Sequence, residues 1–329
     1  MKPICTFLLI LLTPCCCDAA RPGSVIEDAK SISVQTDGTT LWKLNHDPVE
    51  GKPYFHPVRP PGGSVFTDLR PHDHPWHRGI WFSWKYINGV NYWEEDRDTG
   101  LSHGRTRLES SKRETASNGD VSIAQELEYA PGSDAKAVLH ESRTIRISTV
   151  EDSGNYAIDW VSRFQALDQA ITLGRTPIPG EVGGKSYGGY AGLSIRMSEP
   201  MRRGTFYNSH GDENEDCHGR PSPWVAFRND SGQSLLFLDH PDNDPFPSKW
   251  YVAPGMPYFS PAVLFDEKRT IRANQTLTLK YRLVVCSGPI SRDESETQWE
   301  KWVEEGDSAS ELKLEADNKT IVEPVRSLD

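Results

Sequence analysis

The stretch Lys136-Ala-Val-Leu-His-Glu-Ser-Arg-Thr-Ile-Arg-Ile-Ser-Thr-Val150 leads through Asp152-Ser153-Gly154-Asn155 into Tyr156-Ala-Ile-Asp-Trp-Val-Ser-Arg-Phe-Gln-Ala166. Within it Thr144-Ile145-Arg146-Ile147-Ser148 alternates polar and apolar, the period of a strand with one face buried. A four-residue polar turn between two such runs predicts a β-hairpin. The pattern extends in both directions. Arg105 to Glu114 and Val121 to Tyr129 flank Asn118-Gly119, and Trp224 to Phe227 and Ser234 to Leu238 flank Asn229-Asp230-Ser231-Gly232. Thr276 to Val285 is another long strand candidate. Strands at short spacing with tight turns, and no βαβ alternation, predict an all-β fold, a large antiparallel β-sandwich.

One helix is expected, over residues 292–305. Ser291-Arg292-Asp293-Glu294 has the form of a capping box, Trp299, Trp302 and Val303 follow at near-helical spacing, and Gly306 can end it. The charged tail 308–329 then frays or adds an edge strand. The first twenty residues read as a secretory signal: Lys2, the apolar run Ile4 to Leu12, and small residues through Ala20. Lipid attachment at Cys15, Cys16 or Cys17 is the rival reading. With no repeat or linker in sight, residues 21–329 are expected to form a single domain, exported to the periplasm or the outside of the cell.

Composition narrows the function. The 329 residues carry 36 Lys+Arg against 47 Asp+Glu, a net charge of −11 that argues against nucleic acid as a partner. Mean hydropathy is −0.59, and no apolar run approaches the roughly 20 residues that span a bilayer. Outside the leader the cysteines are Cys217 and Cys286, open to a disulfide or to two separate thiols. Gly180-Glu181-Val182-Gly183-Gly184-Lys185-Ser186 imitates a phosphate loop, but Pro179 stands where its first glycine belongs and no helix pattern follows. It reads as a loop entering a strand. The acidic loop His210 to His218 lacks the ordered spacing of a calcium site.

The chemistry concentrates in Arg70-Pro-His72-Asp73-His74-Pro75-Trp76-His77-Arg78-Gly79-Ile80-Trp81-Phe82-Ser83-Trp84. An extended segment puts His72 and His74 on one face, and a bend at Pro75 can return His77 toward them. Three imidazoles with Asp73 can ligate a divalent transition metal, and can equally act as general acid and base near neutral pH. Arg78 can hold a carboxylate bidentately. Tryptophan faces suit sugar rings, although a tryptophan-rich stretch in a β protein is ordinarily core. Glu94, beside Glu95, and His103 are candidate acid–base partners. Tyr190, His240, Asn243 and Trp250 are candidate ligand contacts with Trp84; Arg163, Tyr187 and Arg196 are weaker ones.

These residues carry a resemblance. His56-Pro57, Pro60-Pro61-Gly62-Gly63 and Asp73-His74-Pro75-Trp76-His77-Arg78-Gly79 are followed by Asn88-Gly89-Val90-Asn91-Tyr92-Trp93-Glu94-Glu95 and Gly100-Leu101-Ser102-His103. Later come Tyr187-Gly188-Gly189-Tyr190 and Asp239-His240-Pro241-Asp242-Asn243. Together they resemble the PmoA-like family of secreted bacterial proteins, a family of unknown function often labelled methane oxygenase. The family pattern has His where Trp76 stands. The resemblance implies a β-supersandwich like that of galactose mutarotase, and with it a sugar ligand; the label implies a metal-dependent oxygenase. The expectation carried forward is an exported carbohydrate-active protein doing acid–base chemistry (epimerisation, elimination or hydrolysis) on a sugar or oxidised sugar. Non-catalytic sugar binding and oxygenation are its rivals.

Overall fold

The computed structural model describes the backbone of residues 23–320 and side chains through residue 306; the leader and residues 321–329 lie outside the described residues. The architecture is three antiparallel sheets and one C-terminal helix. The first eight-stranded sheet runs, in spatial order, Ser24–Asp28, Ser31–Thr36, Thr39–Asn45, Tyr54–Val58, Ile80–Ser83, Gly192–Arg196, Tyr258–Pro261 and Trp250–Ala253. The second, also of eight strands, runs Thr205–Asn208, Trp224–Arg228, Ser234–Asp239, Thr276–Cys286, Tyr156–Ala166, Leu139–Ile147, Val121–Ala130 and Arg105–Thr115. A small third sheet joins Arg269–Ile271, Ile171–Gly174, Tyr86–Ile87 and Val90–Asn91.

The hairpins predicted from local sequence build most of the second sheet. Ile145 pairs with Trp160, and Trp160 with Tyr281, so alternate residues of three strands reach the interior together. Phe55 of the first sheet meets Trp160 of the second at 6.2 Å, and Phe82 meets Phe164 at 4.9 Å. These contacts seat the two sheets face to face, and each fully buried aromatic contributes about 1.5–3 kcal/mol through removal from water. The interior also admits charge. Glu141 accepts hydrogen bonds from Arg143 Nε at 2.7 Å, Tyr129 at 2.5 Å and Ser162 at 2.5 Å. The Arg143 guanidinium lies over the Trp160 ring at 4.6 Å.

The helix, Arg292–Thr320, begins as its capping box predicts: Ser291 N donates to Glu294 Oε2 at 2.7 Å and Glu294 N to Ser291 Oγ at 3.2 Å. It packs on the outer face of the second sheet, with Trp224 Nε1 donating to Glu296 and Trp299 Nε1 to the Asp239 carbonyl. Gly306 does not end it. One glycine costs a helix interior only about 1 kcal/mol, and Glu311 to Ala316 are strong helix formers. Residues 308–320 are therefore helical rather than frayed or extended. Cys217 and Cys286 are separate buried thiols, each pushed up to about 12 chiefly by burial.

Candidate functional site

The site forms where the histidine-rich loop meets the first sheet. Leu69 and Arg78 pair across its neck, and Arg70 N donates to the His77 carbonyl at 2.8 Å. Inside the loop, His74 N donates to the Pro71 carbonyl and His77 N to the His74 carbonyl, two successive turns around Pro75. They stack His74 on His77 at 4.7 Å between ring centres. Gly79 fixes the exit: its φ is +67°, and a Cβ there would lie 2.2 Å from the Phe55 carbonyl oxygen.

Around the two imidazoles lies a cavity of about 330 Å³, lined by His74, Trp76, His77, Trp93, Glu94, Tyr187, Tyr190, Tyr251, Met256 and Tyr258. His77 stacks on Tyr258 at 5.4 Å, Trp93 meets Tyr190 at 5.0 Å, and Tyr190 meets Tyr251 at 5.7 Å. Two polar groups interrupt this aromatic lining. One is His74, whose Nδ1 lies 2.9 Å from Asp73 Oδ2; Asp73 in turn accepts from Arg196 NH2 at 2.9 Å. Partial burial works against the Asp73 carboxylate, yet the hydrogen bonds from His74 and Arg196 hold it down at about 2. The other is Glu94, which accepts from Asn91 at 2.7 Å, from Tyr190 at 3.1 Å and from Lys85. Burial raises its carboxyl, and Lys85 more than reverses that, so Glu94 stays ionised. His77 is driven well below the ordinary imidazole value, first by burial and then by His74 and Arg196 nearby.

Of the residues expected from sequence, His74, His77, Glu94, Tyr187 and Tyr190 meet here. The others do not. His72 and His103 are exposed and outside the lining. Arg78 points away from the cavity, fully buried; its Nε donates to Glu95 at 2.9 Å and its NH1 to Glu50 at 3.2 Å, so no ligand carboxylate can reach it. Trp84 is core, against Phe82 at 5.1 Å and Phe164 at 5.0 Å. Trp250 is core too, its Nε1 donating to the Ser222 carbonyl at 2.8 Å. Neither has a face to offer a ring. His240 is buried edge-on to Trp302 at 4.9 Å, and Asn243 ties Asp239 to the Lys280 backbone. Arg163 is exposed on the second sheet, whereas Arg196 belongs to the site through Asp73.

The expected metal set is not assembled, because His72 turns to solvent while His77 is buried. Among the described residues no group of three or more His, Cys, Asp or Glu is placed to hold a metal ion. Sequence reasoning missed Trp76 and Trp93 as lining and gave no signal for Tyr251, Met256 or Tyr258, which arrive on a hairpin far along the chain. The Gly180 to Ser186 segment is a run of turns clamped by Arg175 on Glu181 at 2.7 Å, leading to the strand Gly192–Arg196.

Solved structures similar to this chain include an α-N-acetylgalactosaminidase from Bifidobacterium bifidum (13% identity, TM-score 0.30, 80% of this chain and 35% of that one). Others are the Slr1438 protein from Synechocystis sp. PCC 6803 (10%, 0.34, 80% and 99%) and a glycoside hydrolase family 97 enzyme from Pseudoalteromonas sp. strain K8 (8%, 0.33, 80% and 34%). The chain thus spans about a third of the two glycosidases. No curated protein matches the sequence. No described helix is long and apolar enough to cross a membrane. Residues 31–300 match the model of a family of unknown function, DUF6807, and the chain belongs to that family.

Proposed function

We propose that the aromatic cavity binds a sugar ring and that His74 moves a proton on it. The observation that carries this reading is the pairing of a ring-lined cavity with one oriented imidazole. Flat aromatic faces take the apolar faces of a sugar, and a few convergent polar groups orient its hydroxyls. Asp73, kept ionised by Arg196, holds the proton on His74 Nδ1 and leaves Nε2 as the basic nitrogen. His74 then accepts the proton of a ring O–H and passes it to the ring oxygen as the ring C–O bond opens, reclosure on the other face completing an epimerisation, or accepts it from a C–H and passes it to the departing oxygen as the double bond of an elimination forms. Glu94 and Tyr190 act together as a hydrogen-bonding pair for a hydroxyl. A charged sugar is not favoured, since Arg78 is committed to Glu50 and Glu95, Arg196 to Asp73, and Lys85 to Glu94. Export through the leader belongs to the same proposal.

A second reading, sugar binding without turnover, is favoured by Glu94: three donors already occupy its carboxylate, which suits orientation better than proton transfer. One experiment separates them. Neutral monosaccharides and disaccharides are screened by the fluorescence of Trp76 and Trp93, and any sugar that binds is incubated in D₂O and followed by NMR. Deuterium entry or product formation that falls by about 10²–10⁴ in His74→Ala, with affinity largely kept, supports the acid–base reading. Binding without exchange in either protein leaves the second reading standing. A screen in which no sugar perturbs the fluorescence overturns both.

A further inference from the structure

A second, smaller cavity of about 190 Å³ lies behind the first, lined among others by Glu50, Lys52, Glu95, Arg105, Thr106 and Arg107. The two share the segment Trp93 to Glu95: Trp93 and Glu94 line the front cavity, while Glu95 lines the rear one. Lys52 belongs to the rear wall. It donates to the Trp93 carbonyl at 3.0 Å and to Glu95 Oε1 at 3.2 Å, two of the three donors an ammonium carries.

Its polar groups are incompletely matched. Arg105 NH1 is buried with no hydrogen-bond partner, and among the described residues Arg105 forms no ion pair. Charge is unbalanced in the same sense. The lining side chains and their ion-pair partners comprise five cations (Lys52, Arg70, Arg78, Arg105, Arg107) against three carboxylates (Glu50, Glu95, Glu128). Glu95 is contacted by Lys52, Arg70 and Arg78, so its charge is already answered from its own side. Buried guanidinium donors without acceptors are costly, and a guanidinium fork matches an oxyanion. The cavity is also below the roughly 300 Å³ at which pockets hold drug-sized ligands.

We propose that this rear cavity is a binding site for a small oxyanion, a carboxylate or a phosphate, held by Arg105, with Lys52 and Arg107 in the same lining. The proposal stands independently of the sugar reading, because it concerns different side chains and a different ligand.

The test is thermal denaturation and titration calorimetry of the whole protein with sodium phosphate and, separately, sodium acetate. Sodium chloride at equal ionic strength is the control, since unspecific screening acts equally through all three. A saturable rise in Tm of several degrees at roughly 100 times Kd is expected for one oxyanion and not for chloride. Arg105→Met should weaken that response by about tenfold or more, and Arg105→Gln, which keeps polarity but loses the charge and the fork, should weaken it as well. The stronger of phosphate and acetate identifies the headgroup. A response matched by chloride, or one unchanged in Arg105→Met, overturns the site, as does the absence of any response in the wild type. Should Arg105→Met not fold, an unchanged titration of Arg105→Gln decides against it.

Discussion

The two eight-stranded sheets are made differently. The second is largely two runs of hairpins, joined where Thr276–Cys286 pairs with both Ser234–Asp239 and Tyr156–Ala166, and its buried charges serve the core. The first brings Tyr54–Val58, Ile80–Ser83, Gly192–Arg196 and Tyr258–Pro261 side by side from distant parts of the chain. The loops around those strands supply the cavity. Regular local pairing leaves every inward position to packing, whereas long-range pairing converges loops of unrelated sequence, which is how His74, Tyr190 and Tyr258 come to line one space.

The contrast is tested hardest by removing one buried carboxylate from each region. Glu141→Ala strands Arg143 in the core, and Glu95→Ala strands Lys52 and takes one of two carboxylates from Arg78 behind the cavity. Each should destabilise the protein by about 3–5 kcal/mol in urea unfolding. Ligand affinity of the folded fraction should survive Glu141→Ala and fall in Glu95→Ala, because Arg70 and Arg78 anchor the histidine loop. Equal affinity in both would dissolve the distinction.

A smaller effect lies in pH. His77 is held neutral well below its ordinary 6.5, so in the window beneath 6.5 the unfolded chain binds a proton that the folded chain does not. Stability there falls with acid by about 1.4 kcal/mol per pH unit. Asp239, at the end of a strand of the second sheet, is raised from 3.8 to about 7, chiefly by burial against its hydrogen bonds. Between those values the folded chain keeps a proton that the unfolded chain releases, so stability falls as pH rises, with a similar slope. The two oppose each other where the windows overlap. Asp239→Asn should therefore leave a stability that climbs with pH across that overlap, and His77→Gln one that declines. A profile unchanged by both would refute the assignment. The smallest effect is expected from His72→Ala and His103→Ala, exposed and outside the cavity: within about 0.5 kcal/mol in stability, with unchanged ligand binding.

Legibility followed the same division. The hairpins around Asn118-Gly119 and Asp152 to Asn155, and the capping box at Ser291, were plain because adjacent residues carry their whole physical cause. Strands of the first sheet carried weaker signals, being short and buried on both faces: Ile80–Ser83 and Gly192–Arg196 have no exposed residue to mark an alternation. At the site, the density of His and Trp pointed to the right loop. It did not tell which side chains face the cavity.

Arg78 and His77 show why. They are neighbours in sequence, both buried, and their side chains point to opposite sides of one strand entrance, His77 into the aromatic cavity and Arg78 into an ion cluster with Glu50 and Glu95. Residue type and spacing set the antiparallel β class, the turn positions and the location of the chemistry, because alternation and turn propensity act over a few residues. Which imidazole Asp73 and Arg196 orient, and which tryptophans are core, depends on strands more than a hundred residues away. Long-range packing makes those choices, and no local pattern records it.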